Sequence, residues 1–132
     1  MSVTITLRDE TTSGESQDAG TLEFETESTT VRELIRSRVY QDVKDHNAKR
    51  NQNRFTGLVQ PTDTERDLNG YRLKTPRQIN WKTPFDIAMD GFEKKRILIL
   101  VNDGQVESLD EMVKLTHDTT VSFLQLVPLV GG

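Results

Sequence analysis

Cysteine is missing from all 132 residues, which excludes disulfides, thiolate metal sites and a cysteine nucleophile within the chain. Histidine is almost as scarce. His46 and His117 are the two present, too few to build a zinc site without carboxylates at ligand spacing. Long apolar runs are also wanting. Ile97-Leu98-Ile99-Leu100-Val101 is the longest, and a bilayer span takes about 20 such residues. No basic-then-apolar segment opens the sequence, so no secretory signal is read. Positive charge is in deficit: 17 Lys and Arg against 21 Asp and Glu give a net charge of −4. Neither nucleic acid nor a membrane is therefore expected as a partner. The expected setting is cytoplasmic, with no metal and no cofactor.

What is present fits one folded domain over residues 1–132. Hydrophobic residues make up 33% and charged residues 29%, a lean core with a wet surface rather than a disordered chain. Val3, Ile5 and Leu7 alternate with Thr4, Thr6 and Arg8, the period of a half-buried strand. Asp9 to Gly20 hold no large apolar residue and read as a long turn. Leu22 and Phe24 then alternate with Glu23 and Glu25, closing an antiparallel hairpin. Thr30 stands three residues before Glu33, the spacing of a capping box. Val31, Leu34, Ile35, Val39 and Val43 follow along one stripe, with Arg32, Arg36 and Asp42 off it. The spacing predicts a helix from about Val31 to His46.

An insert over residues 47–96 interrupts this pattern. Polar residues dominate it, and Asn69-Gly70 marks a small hairpin. Thr83 as cap, Pro84 at the first helical position and Asp86 in the first turn then announce a second helix. Phe85, Ala88, Met89 and Phe92 form its apolar face, and Lys94, Lys95 and Arg96 mark its end. Ile97 to Val101 is read as a strand covered on both faces, with a turn at Asn102-Asp103-Gly104 and a short strand from Val106. Leu109 to Leu115 suggest a short helical or irregular crossing, and Val121 to Val127 the last strand. Strands gathered around one main helix indicate an α+β fold. Leu34, Ile35, Val39, Val3, Ile5, Leu7, Ile99, Phe123 and Leu124 are the expected core.

Chemistry is concentrated in the last five residues, Pro128-Leu129-Val130-Gly131-Gly132. Residues 128–132 read as a flexible tail, since chain ends fray unless tied down. Two glycines can enter a narrow enzyme channel and adopt dihedrals denied to other residues. A terminal glycine carboxylate is sterically open. It can attack the α-phosphate of ATP to form an acyl adenylate, which then passes to an amine, a thiol or a sulfur donor.

Val3-Thr4-Ile5-Thr6-Leu7, Gly20 to Phe24 followed by Thr29 to Leu34, Leu100 to Val106, and Thr116 to Leu126 with Pro128 and the diglycine together resemble the ubiquitin-like β-grasp superfamily, most closely its MoaD- and ThiS-like sulfur-carrier branch. The similarity covers roughly residues 1–46 and 97–132. It implies a mixed sheet of four or five strands packed on one main helix, with the first and last strands adjacent and central. It implies that the chain is not an enzyme. Gly132 would be adenylated by an E1-like (ThiF/MoeB-like) enzyme that grips Pro128, Leu129, Val130 and Gly131. The insert departs from the minimal family pattern and resembles the ubiquitin-like components of bacterial operons that also encode an E2-like enzyme and a JAB-type peptidase.

Three functions follow as expectations. The chain is a protein modifier joined through Gly132 to an amine, a sulfur carrier with a thiocarboxylate at Gly132, or a non-covalent binding module. A diglycine with nothing after it needs no processing to expose it, which fits the first two equally. Other residues rank lower. His46 suits a helix end and His117 a solvated turn. Lys44, Lys49, Arg50 and Arg54 read as a solvated basic loop, Trp81 and Phe85 as core aromatics, and Asp110-Glu111 as a surface acidic pair.

Overall fold

The N-terminal alternation forms β1 (Val3–Thr11), which turns back as β2 (Ser16–Phe24). A computed structural model describes residues 2–48, 54–55, 57–61, 64–67, 70–73 and 78–131, the side chains of 54–55, 64–67 and 70–73 excepted. Both strands run well into the segment expected to be a long turn. Only Thr12 to Glu15 lie between them, closed by Thr11 N–H donating to the Glu15 carbonyl at 2.9 Å and Gly14 N–H to the Thr11 carbonyl at 3.1 Å. The far end of the hairpin is exposed on most positions of β2, so no apolar alternation advertised it. Gly20 sits at φ +94 where the pairing shifts between Leu7 and Arg8, a bulge conformation that glycine adopts without a side-chain clash.

Next come β3 (Ser28–Thr30) and α1 (Val31–Ala48). Thr30 Oγ1 accepts the Glu33 N–H at 3.2 Å, making half of the anticipated capping box. The insert supplies β4 (Arg54–Phe55), β5 (Val59–Gln60), β6 (Thr64–Asp67), β7 (Gly70–Leu73) and α2 (Lys82–Glu93). β6 and β7 pair antiparallel with Asp67 opposite Gly70, and β4 adds to β7; Gly70 therefore belongs to the ladder rather than to the turn expected at Asn69-Gly70, and Asn69 lies outside the described residues. Helix α2 begins before Thr83, with Trp81 at the N-cap and no side-chain cap bond, which corrects Thr83 as the cap. It ends with Lys95 at φ 59, and the Arg96 N–H reaches back to the Gly91 carbonyl at 2.8 Å, a left-handed helix stop.

The last third forms β8 (Ile97–Val101), β9 (Gly104–Val106), β10 (Met112–Lys114), β11 (Thr120–Gln125) and β12 (Leu129–Val130). Asn102 and Asp103 both take positive φ in the tight turn between β8 and β9. The expected crossing over Leu109 to Leu115 is instead a turn followed by β10, which pairs antiparallel with β3. The final long strand stops at Gln125 rather than Val127, because the Leu126 and Val127 amides both turn to the Arg96 carbonyl.

Five strands make the main sheet in the order β2-β1-β11-β8-β9. The pairing of β1 with β11 is parallel and its other pairs are antiparallel. Among the described residues the fold is thus α+β, a mixed sheet with two helices. Val3, Ile5, Leu7, Leu34, Ile35, Val39, Ile99 and Phe123 are buried as expected. Leu124 is only half-buried. It alternates away from Phe123, so its neighbour holds the core side of the strand.

The insert joins the same core. Phe85, Ala88 and Phe92 are buried in one cluster with the sheet and α1, while Trp81 is half-buried, its ring edge-on to Tyr40 at 5.7 Å. Asn47 clips the insert to the end of α1: its amide donates to the Ile79 carbonyl at 2.8 Å and its carbonyl accepts the Ile79 N–H at 2.9 Å. Asn47→Ala leaves both groups of buried Ile79 without these partners. It is expected to lower stability by about 1–3 kcal/mol in urea unfolding.

Candidate functional site

The C-terminal segment leaves the end of β11 over the Arg96 carbonyl, which accepts Leu126 N–H at 2.8 Å and Val127 N–H at 3.3 Å. Pro128 is exposed. From there the chain does not hang free. Leu129 and Val130 pair in parallel with Val59 and Gln60, and the Gly131 N–H donates to the Gln60 carbonyl at 2.7 Å. Leu129 is 4% exposed and Val130 52%, so the segment presents one side chain inward and one outward, as a strand does. Gly131 is buried. Gly132 lies outside the described residues. Where a loose tail was expected, the segment through Gly131 is paired in this structure with an edge supplied by residues 59–60.

Two glycines lie where this docking is closest. A Cβ at Gly91 would stand 3.0 Å from Leu129 Cδ2, so the bare backbone of α2 leaves a recess for the leucine. A Cβ at Gly131 would fall 1.7 Å from Ile87 Cδ1, so a side chain there would require the tip of Ile87 to move aside. Gly91 sits inside a helix, where glycine costs about 1 kcal/mol relative to alanine. Its presence on the apolar face is the one sequence signal that could have revealed a close approach.

Below this segment lies a buried ionic cluster that the sequence reading missed. Arg38 is 2% exposed. Its guanidinium grips Asp9 of β1 through two bonds of 2.7 and 2.8 Å and Asp42 through two of 3.1 and 2.9 Å, and it lies 5.0 Å from the centre of the Phe123 ring. Asp42 also accepts the Leu58 N–H at 3.0 Å, so the cluster ties the sheet, α1 and the insert together. Burial pushes the Asp42 carboxyl up to about 6, against the pull of Arg38 and the Leu58 N–H. Burial works against the charge on Arg38, but Asp42 and Asp9 outweigh it and hold the guanidinium protonated. Asp42 had been placed off the buried stripe; it is drawn inward because Arg38, on the stripe, needs it.

The remaining candidates stay apart. His46 is buried near the end of α1, and His117 is exposed at the rim of an open hollow with Val3, Glu27 and Lys114. Lys44 is exposed; Lys49, Arg50 and the Arg54 side chain lie outside the described residues. Asp110 pairs with Arg32 at 3.2 Å, and Glu111 accepts the Glu107 N–H at 3.1 Å, so neither is free to form an acid–base pair with the other. Among the described residues no three His, Asp or Glu side chains gather as metal ligands, and no helix is long and apolar enough to cross a membrane. Comparison with protein-family models, curated proteins and solved structures returns no match.

Proposed function

We propose that this chain is a ubiquitin-like β-grasp protein whose Gly132 carboxylate is adenylated by an E1-like (ThiF/MoeB-like) enzyme and passed to an amine of an acceptor protein. One observation carries the reading: the N-terminal strand and the last long strand lie side by side and parallel within the sheet, and the segment ending in the diglycine leaves directly from that last strand. The chain is then a substrate of its partner rather than a catalyst. The carboxylate oxygen attacks the α-phosphate of ATP, pyrophosphate departs, and an acceptor amine later displaces AMP. The ATP requirement sets the reaction in the cytoplasm, and an E2-like enzyme and a JAB-type peptidase are the further partners this reading calls for.

The experiment joins the protein, a cognate adenylating enzyme and ATP, and measures pyrophosphate release and the mass of the chain. An adenylate or thioester at Gly132 is expected, and deletion of Gly132 is expected to abolish it while leaving the fold intact. A glycine-linked isopeptide on a second protein identifies the modifier; sulfur in place of a terminal oxygen identifies the carrier. Equal activation of the Gly132 deletion by a proven cognate enzyme rules the carboxylate out. A second reading, the non-covalent module, draws its support from the docked Leu129–Val130 strand, which gives the segment a structural role whatever happens at Gly132.

A further inference from the structure

We infer that β5 and α2 form a clamp that holds Leu129–Gly131 closed against the body, and that this segment becomes available to other molecules only when the clamp opens. The clamp stands on the geometry alone; its meaning as a gate on adenylation rests on the proposed function.

The fixed jaw is β5. Leu58, just before it, is anchored on both backbone groups: its N–H on Asp42 and its carbonyl on the Gln125 amide at 3.2 Å. The Gln60 side chain donates to the Gly57 carbonyl at 3.1 Å, which stiffens the same short stretch. The second jaw is the face of α2 bearing Ile87 and Gly91. Leu129 fills the recess at Gly91, and Gly131 slides beneath Ile87. The Leu129 side chain and the bare backbone at Gly91 thus match in shape.

The clamp is also built to open. Its pairing spans two residues of β12, and Pro128 and Val130 are exposed, so few groups must be rehydrated on release. Short pairing and exposed flanking side chains place the segment among the parts of the fold expected to open locally before the core does.

The test uses the full chain ending at Gly132 and two variants. Gly91→Leu fills the recess without touching the segment's own sequence, and Leu129→Ala removes the side chain that fills it. In the parent protein the Gly131 amide is expected to exchange with deuterium about tenfold or more slowly than in a free Leu-Val-Gly-Gly peptide. Both variants should lose that protection while Ile5 and Val121 amides keep theirs. An unselective carboxypeptidase should release Gly132 roughly fivefold faster from Gly91→Leu than from the parent, in step with local opening. Should Gly91→Leu disturb Ile5 and Val121 as well, Leu129→Ala decides through the Gly131 amide. Peptide-like exchange at Gly131 in the parent, or equal release of Gly132 from parent and Gly91→Leu with the body intact, overturns the clamp. Failure of any cognate enzyme to adenylate parent or opened variants instead sinks the proposed function and leaves the exchange result standing.

Discussion

Replacing Arg38 with alanine is expected to lower the stability of the fold by about 3–5 kcal/mol, the cost of removing one member of a buried ion pair. The loss exceeds that of an ordinary surface arginine because Asp9 and Asp42 lose their shared counter-charge while remaining largely enclosed, at 19% and 15% side-chain exposure. Arg38→Met keeps most of the side-chain volume, so a comparable loss there assigns the effect to charge rather than to a cavity. Urea unfolding of both variants measures it.

The same cluster is expected to make stability depend on pH. The Asp42 carboxyl is raised from its ordinary 3.8 to about 6 in the folded state, chiefly by burial. Between those values the folded protein keeps a proton that the unfolded chain has released. The contribution is therefore complete below the unfolded value and is lost as the pH rises through about 6. Asp42→Asn, which cannot titrate, is expected to flatten this part of the stability curve. Unfolding midpoints of parent and variant from about pH 4 to 7 check it, and an unchanged slope assigns the dependence to another group.

Phe92→Ala is the second large expected effect, about 3–5 kcal/mol for a buried phenylalanine, and Phe85→Ala should fall in the same range. Both rings lie under a tenth exposed, on the face of α2 that joins the main core. A loss well below 1 kcal/mol, with exchange protection retained in the sheet, would make α2 a free-standing arm. The outcome bears on the C-terminus too, since Ile87 and Gly91 ride on this helix.

The parts of the fold that were legible in the sequence are those where one face is apolar and the other is not. Helix α1 declared itself through the stripe from Val31 to Val43 and the Thr30 cap, and β1 through Val3, Ile5 and Leu7. The outer halves of β1 and β2 were hidden because residues such as Ser16, Gln17 and Asp18 are exposed and so carry no alternation. β3 and β10 are three residues each, too short for a period to show. Arg38 was passed over because charge suggests surface, although its place three residues after Ile35 and four after Leu34 puts it on the buried stripe. The candidate site was half legible. The diglycine was visible, but its docking depends on a strand of the insert that contributes two residues, Val59 and Gln60.

The parallel pairing of β1 with β11 sets the order in which this molecule can be made. Leu7 waits for Val121 and Asp9 for Phe123, across nearly the whole sequence. The N-terminal hairpin and α1 can form from local contacts, but the middle of the sheet stays open until β11 has left the ribosome. Contacts this distant in sequence slow folding, because the loop between them must close before they bring any gain. A nascent chain halted before Thr120 therefore displays the unpaired edge of β1, a site where another strand can add, and chaperone capture should be strongest for ribosome-bound chains of that length.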